Sequence, residues 1–358
     1  MIDEPLNRLP LVSIVIPNYN YGRFLREAID SALSQTYSRI EVVVVDDGST
    51  DDSPEIIASY GDRVVPVLKE NGGHGSAFNA GFAASRGDIV KFLDSDDYLL
   101  PQAVERVVAV WEPDVTLVHH RVQVVDASGH PISVFPPSDQ PLSSGRELWR
   151  TLLKQGFYVH SQTCGLYFSR VVLEKILPLS EAEWVRGAEE PLWTLAPFYG
   201  HVVALEGVLG VWRFHGDNSA SASGTRADIP KFRQLLTVNM RRQATLMREA
   251  RKLGHEMPDG LSARDPGNLQ VRLILLRLGP QEHPSASDRR IDLAYRGVVS
   301  SLRYSDAELK RRLMRAAWFV WVALLPLPLA RLAISWLYAP QTRPKVLEWA
   351  RKKVISVH

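Results

Sequence analysis

The sequence predicts an α/β protein: a mostly parallel sheet flanked by helices, followed by a helical C-terminal extension. Three observations predict it. Continuous apolar, β-branched runs recur through the first hundred positions, segments with helical spacing separate them, and three of the runs end in polar or acidic clusters.

The elements follow in order. Residues 11–16 (Leu-Val-Ser-Ile-Val-Ile) read as a buried strand stopped by Pro17. Phe24, Leu25, Ala28, Ile29, Ala32 and Leu33 recur with helical spacing, and Ile40 to Val45 is a second apolar run. Ser53-Pro54-Glu55 starts a helix, with Ser53 as cap and Pro54 in the first turn. Val64 to Leu68 is a third strand, Gly75 to Ser85 a helix of small residues, and Asp88 to Leu93 a fourth strand. Pro101 opens a helix reaching about Trp111. Beyond it, Val115 to Val125 and Ile132 to Phe135 read as longer, partly antiparallel strands around a Gly129 turn. Residues 136–145 form a loop, Leu148 to Leu153 a helix, Gly165 to Phe168 a short strand, and Val202 to Phe214 another. Residues 216–228 are small and polar, a mobile loop, and Ile229 to about Arg315 reads as helices joined by turns.

In open sheets of this kind ligands bind beyond the carboxyl ends of the strands. Those ends carry Pro17-Asn18-Tyr19-Asn20, Asp46-Asp47-Gly48-Ser49 and Asp94-Ser95-Asp96-Asp97, so three polar clusters converge on one rim.

Charge is uneven. The whole chain carries +2, yet Lys310 to His358 holds ten Lys/Arg and one acid, so the body is acidic and the tail basic. A nucleic-acid binder would place its basic residues on the folded body, so none is expected as a partner. A basic tail fits an anionic membrane surface. The single cysteine, Cys164, excludes an internal disulfide framework or a cysteine zinc site. The acidic N-terminus lacks the positive start of a signal peptide, so the body is expected in the cytoplasm, at the inner face of the membrane.

Closely spaced carboxylates at a strand end suit a hard cation such as Mg²⁺ or Mn²⁺, which keeps one or two carboxylates and shares substrate phosphates. Taken alone, Asp94-Ser95-Asp96-Asp97 also fits an acidic turn capping the next helix. Gly72, Gly73 and Gly75 fit either a close approach to a ligand or a simple turn. Arg86 reads as a phosphate partner or a solvated side chain.

The surrounding motifs resemble the family-2 glycosyltransferases, which have the GT-A fold. The resemblance rests on 12–20 (Val-Ser-Ile-Val-Ile-Pro-Asn-Tyr-Asn), 31–37 (Ser-Ala-Leu-Ser-Gln-Thr-Tyr) and 41–51 (Glu-Val-Val-Val-Val-Asp-Asp-Gly-Ser-Thr-Asp). It continues in Asn71-Gly72-Gly73, Asn79-Ala80-Gly81, Gly87-Asp88 and 92–97 (Phe-Leu-Asp-Ser-Asp-Asp), and it covers about the first 105 residues. It implies an inverting hexosyl transferase that uses a nucleotide-diphospho-sugar, a UDP-sugar above others, with Mg²⁺ or Mn²⁺. Pro17, Tyr19 and Asn20 then match the loop at base and ribose, Asp47 the residue that bonds the base, and Asn79 a donor-facing position. Asp94 and Ser95 match the donor side of the Asp-x-Asp element; Asp96 or Asp97 holds the metal, and which of them is open.

Inverting transfer also needs a base near the acceptor hydroxyl. By the resemblance this comes from an acidic motif downstream, here Gly187-Ala188-Glu189-Glu190-Pro191-Leu192-Trp193. The spacing to Leu192 points to Glu189; a literal match to the acidic pair points to Glu190. The same motif also fits a helix start with acids in its first turn. Trp212-Arg213-Phe214-His215-Gly216-Asp217-Asn218 resembles the closing Arg-x-His-x-x-Asn element, with His215 as a further metal ligand and Arg213 on the diphosphate. Trp184 and Trp193 read as a sugar platform or as core.

Ala316 to Ala330 is uncharged but short, and Pro326 and Pro328 interrupt it. Its tryptophans and flanking basic residues favour peripheral membrane contact through 316–340 over a full span. The expected organisation is a catalytic domain over 1–225 (a nucleotide half to about 112, an acceptor half from 113), a helical extension over 226–309 and a membrane-associated tail over 310–358. The acceptor is then carbohydrate or lipid-linked, in cell-surface polysaccharide or glycolipid synthesis. Rival readings are a sugar-nucleotide nucleotidyltransferase, which wants a basic glycine-rich loop after the first strand where Asn18-Tyr19-Asn20-Tyr21 stands, and an inactive binding protein.

Overall fold

The computed structural model describes residues 9–215 and 229–338, apart from 257, 259 and 306. The chain divides into two compact units, one of 1–153, 157–215 and 244–256, the other of 154–156, 216–243 and 257–358.

The first unit is built on β1 (Val12–Asn18), α1 (Gly22–Leu33), β2 (Ile40–Asp46), α2 (Ser53–Ala58), β3 (Val65–Leu68), α3 (His74–Ala84) and β4 (Ile89–Phe92). It continues with β5 (Tyr98–Leu99), α4 (Ala103–Val108), β6 (Val115–Asp126), β7 (Pro131–Phe135), α5 (Leu148–Gln155), β8 (Leu166–Ser169), α6 (Arg170–Ile176), α7 (Glu189–Leu195) and β9 (His201–Phe214). One sheet runs β3-β2-β1-β4-β8-β6-β9-β5, with β7 on β6. β1 is parallel to β2 and β4, β2 to β3, and β6 to β9, while β8 is antiparallel to β4 and β6. This is the α/β sheet the apolar runs predict.

Every residue of β1 is buried, as befits a central strand covered on both faces. Leu25, Ala28, Ile29 and Ala32 of α1 are fully buried in the same core as Ile14, Ile16 and Val44. Leucine, isoleucine and valine side chains contribute about 1.5–3 kcal/mol each when buried. The small residues of α3 have a packing reason. A Cβ on Gly81 would stand 2.3 Å from Val15 Cγ1, so this helix lies closer to the sheet than a larger side chain would permit.

Some elements differ from expectation. Pro17 lies inside β1, opposite Val45. The pairing of β1 with β4 ends at Val15, so beyond it β1 has β2 alone beside it, and a missing N–H is tolerated. The cap of α2 is Asp52; Ser53 is within the helix and buried. The helix after Pro101 is shorter, Ala103 to Val108. β5 and α6 were not expected: β5 has two residues, too few for a period to show, and α6 has seven; α7 begins at Glu189, where the acidic motif also fits a helix start. The loop expected at 216–228 lies outside the described residues.

The second unit contains α9 (Pro266–Leu278), α10 (Arg290–Arg303), α11 (Leu309–Leu324) and α12 (Leu327–Tyr338), preceded by α8 (Ile229–Lys252), whose last turns belong to the first unit. Its core joins Phe232, Leu236, Leu269, Leu273, Ile274, Leu293, Phe319, Val322 and Ile334. α11 therefore packs with the helices before it, and no break in packing falls at 309/310. Among the described residues no helix is long and apolar enough to cross a membrane.

Candidate active site

The rim is assembled from loops that follow β1, β2 and β4, and is closed from the other half of the sheet by β9.

After β1 the chain turns at Asn20, whose φ of +57° is rare outside glycine. Its side chain keeps this turn: Oδ1 accepts from Thr50 N–H at 2.7 Å, and its own N–H donates to Ser49 Oγ at 2.9 Å. Asn18 Nδ2 donates to Asp46 Oδ1 at 3.1 Å. Pro17 is buried in the strand. Tyr19, next to these ties, is 47% exposed and presents its ring at the rim.

Asp47 is buried and fully engaged. Its Oδ1 accepts from Lys69 Nζ at 2.6 Å and Gly72 N–H at 3.0 Å, its Oδ2 from Gly73 N–H at 2.8 Å. The carboxylate thus fastens the glycine loop to the rim, and a base would meet it with these bonds already made. The glycines also pack inward. His74 N–H donates to Val185 O at 2.9 Å and Gly75 N–H to Trp184 O at 2.8 Å. A Cβ on Gly75 would lie 2.7 Å from Trp184 O, and Gly73 sits at φ +83° with Val185 2.9 Å from its would-be Cβ. Glycine is required here by the approach of segment 184–185.

Asp94 to Asp97 form a turn closed by Asp97 N–H on Asp94 O at 3.0 Å. Its carboxylates are unequal. Asp94 is the most open, with 32% of its side chain exposed. Asp96 Oδ2 meets His215 Nε2 at 2.9 Å. Asp97 is buried, and its Oδ1 accepts from Arg213 N–H at 2.9 Å. Ser95 is buried within the turn. Burial raises the pKa of Asp96 and of Asp97 above the ordinary carboxylate value, that of Asp97 strongly. Lys91 lies wholly buried just before the turn, its Nζ donating to Phe92 O at 2.9 Å and Thr163 O at 2.7 Å. Burial lowers its ammonium to about 8, against the pull of Cys164, Asp94 and Asp97.

β9 delivers the closing residues. It is paired to β5 through Tyr98–Val211, so the chain two residues on reaches the turn that precedes β5. His215 stands against Tyr21 and Phe24, at ring centroid distances of 5.5 and 5.1 Å. Arg213, expected on a diphosphate, is 5% exposed and held by protein: its N–H bonds Asp97, its Nε donates to Asp96 O at 3.2 Å, and it pairs with Glu27. It braces the acidic turn from within.

Glu189 is the first residue of α7, reached through Gly187 at φ +72°. Its Oε2 is buried without a hydrogen-bond partner. His74 stands beside it, with Nδ1 3.6 Å from Glu189 Oε2 and Nε2 3.5 Å from Asp94 Oδ1. Burial raises the Glu189 carboxyl, His74 opposes this, and Asp94 adds to it, leaving it above the ordinary value. Glu190 follows in the same turn, half-buried, its N–H on Gly187 O at 3.1 Å.

Several expected residues are thus used by the fold. Asn79 spends both ends of its amide on Leu179, donating to its O at 2.9 Å and accepting from its N–H at 2.8 Å. Asp97 is bound inside the protein rather than open to a cation. Trp184 and Trp193 are buried core, Trp193 stacked on His160 at 3.8 Å, so neither is a sugar platform. Arg86 is exposed and pairs with Glu41 at 3.0 Å. Other residues join the site unannounced: His74, Lys69, Glu27, Lys91 and the Tyr21–Phe24 pair. A signal existed for His74, a titratable side chain in a run otherwise of small residues.

Where Asp96 Oδ2 and His215 Nε2 meet at 2.9 Å, close to Asp94 in the same turn, a carboxylate oxygen and an imidazole nitrogen offer the donor types a divalent cation takes. A second cluster, Glu112, Asp114 and His201, lies at the starts of β6 and β9, the opposite rim of the sheet. Arg146 bridges its two carboxylates, and it takes no part in this site.

Fold and rim together define a class: a GT-A-type α/β sheet with carboxylates at its strand ends and a half-buried glutamate beside them. Known proteins carry this further. The description "Glycosyl transferase family 2" matches residues 13–174. An uncharacterised glycosyltransferase of Nostoc is 38% identical over 222 residues, 60% of this chain and 68% of the relative. A hyaluronan synthase of Pasteurella multocida is 46% identical over 118 residues, 32% of this chain and 12% of that protein. The chain spans less than half the length of two Rickettsia relatives, 42% of each. The crystal structure of S. aureus TarS 1–349 aligns over 93% of this chain and 92% of that one, with TM-score 0.50 and 16% identity, a likeness of fold alone. The chain belongs to glycosyl transferase family 2. The family match ends at residue 174, before Glu189 and His215.

Proposed function

We propose that this protein moves a sugar, with inversion, from a nucleotide-diphospho-sugar to an acceptor hydroxyl. The observation that carries the reading is the joining of Glu189, through His74, to the Asp94–Asp96 turn. A base and a donor-binding carboxylate turn occupy one rim.

Tyr19 offers an exposed ring on which a nucleobase stacks, and a UDP-sugar is the donor we favour. Asp94, the most open carboxylate, accepts from ribose hydroxyls. Asp96 and His215 would hold Mg²⁺ or Mn²⁺; when bound, the ion offsets the charge that develops on the leaving diphosphate. Asp97 and Arg213 keep the turn in place. Glu189 takes the proton of the acceptor hydroxyl as its oxygen bonds the anomeric carbon and the bond to the diphosphate breaks. Glu189 rather than Glu190 has this role, because its carboxylate reaches into the site against His74.

The likeness to a hyaluronan synthase supports a carbohydrate acceptor and a place in cell-surface polysaccharide or glycolipid synthesis. A lipid-linked acceptor at the cytoplasmic face of the membrane is supported by α11 and α12. There Trp321, Leu324, Leu329 and Leu332 are exposed beside Arg331.

The test is a thermal-shift panel of UDP- and GDP-sugars with and without Mn²⁺, on wild type and Asp96→Ala. A ligand at a hundred times its Kd stabilises the native state by about 2.7 kcal/mol. A rise for a UDP-sugar that needs Mn²⁺ and is lost in Asp96→Ala supports the reading. No rise with any donor, or one indifferent to Asp96, contradicts it.

A further inference from the structure

We infer that His74 is the positioning residue of the base, holding the buried edge of Glu189 and coupling it to Asp94 on the donor side. The inference rests on the reading of Glu189 as base.

His74 is placed by backbone, not by chance of rotamer. Its N–H and that of Gly75 pair with Val185 O and Trp184 O, so the glycine loop and the segment leading to α7 are laced together. Glycines at 73 and 75 make this approach possible, since a Cβ at either would press on 184–185. The ring is steadied edge-on against Phe78, 4.4 Å between centroids.

Its two nitrogens then face two carboxylates, Asp94 at 3.5 Å and Glu189 at 3.6 Å, and Ala188 N–H points at Nδ1 from 3.4 Å. The buried histidines of this fold that serve structure are different. His119 bonds Ser143 O and His120 bonds Arg121 O, and burial takes them down to about 4 and about 3. His74 is also lowered by burial, but Asp94, Glu189 and Asp96 outweigh that and hold it above its ordinary value. His74 brings Nδ1 beside a glutamate oxygen that no hydrogen bond satisfies, and its pull favours the ionised carboxylate against burial. Without it Glu189 would keep its proton to higher pH and lose a fixed orientation.

Two arms test this. The first needs no turnover: ring ¹⁵N NMR of His74, assigned with His74→Gln, in wild type and Glu189→Gln without added metal. Loss of the facing carboxylate is expected to lower the His74 midpoint by about one pH unit or more. An unmoved midpoint overturns the inference. The second follows UDP release from UDP-sugars in Mn²⁺, with the UDP-induced thermal shift as the control for folding. For His74→Gln the expected result is kcat down about 10- to 100-fold near neutral pH, the donor KM within about threefold, and the acid limb of the profile moved up by about one unit, so that alkaline pH restores part of the rate. Loss of UDP binding with an unmoved limb would make His74 a donor ligand or a structural residue and overturn the inference. A midpoint that moves in a protein that releases UDP from no nucleotide sugar would instead overturn the transferase reading, and the catalytic role of His74 with it.

Discussion

The carboxylate rim and the segment that carries Glu189 are made by different kinds of sequence. In the rim each loop directly follows its own strand: Tyr19 after β1, Asp47 after β2, Asp94 to Asp97 after β4. Glu189 instead stands at the start of a seven-residue helix and gains its environment from His74. The difference teaches where specificity of environment comes from. The strand-end carboxylates take their place from their own strands, with Asp96 and Asp97 then held by β9, whereas Glu189 lies outside the sheet and depends on His74 for its surroundings.

Substitutions at the acidic turn break the comparison most strongly. Asp96→Ala is expected to lower turnover about a thousandfold, because the donor diphosphate loses its charge partner. Asp97→Asn should keep Mn²⁺-dependent donor binding within a few fold, since an amide oxygen still accepts from Arg213 N–H; calorimetry with UDP and Mn²⁺ measures both variants. A reversed order would assign the metal to Asp97.

The pH profile sharpens the comparison from the acceptor side. As the proposed base, Glu189 would act only when ionised, and burial holds its carboxyl above the ordinary value of 4.5. The rate should therefore fall as pH drops, and begin to fall at higher pH than a solvated glutamate would cause. The slope and midpoint of kcat/KM against pH measure it.

Smaller effects follow. Tyr19→Ala should raise the Kd for UDP about tenfold, within the range of about 1–3 kcal/mol for base stacking. Gly75→Ala should destabilise the fold by about 1–3 kcal/mol through its contact with Trp184 O, and Asn79→Ala by a similar or smaller amount through Leu179. Thermal denaturation reads both, and the donor KM of Asn79→Ala should stay near wild type.

Much of this was legible. The parallel half of the sheet follows from continuous apolar runs, and the carboxylate rim from the residues after them. What could not be read depended on partners. Asn79 is indistinguishable from a ligand-facing amide until Leu179 is seen across a hundred residues. Arg213 looks like a phosphate partner until Glu27 and the Asp97 turn are found around it. The different surroundings of Asp96 and Asp97 come from β9, whose arrival beside β5 no local pattern announces. His74 carried a chemical signal without a partner, because segment 184–189 had no readable place.

The most direct test of the account compares Glu189→Gln with Glu190→Gln, reading UDP release from a UDP-sugar in Mn²⁺ with UDP affinity as the control. The account predicts a loss of about 10²- to 10⁴-fold in kcat for Glu189→Gln, with UDP affinity near wild type, and a change of less than about threefold for Glu190→Gln. Full activity in Glu189→Gln, or its loss in Glu190→Gln alone, would contradict it.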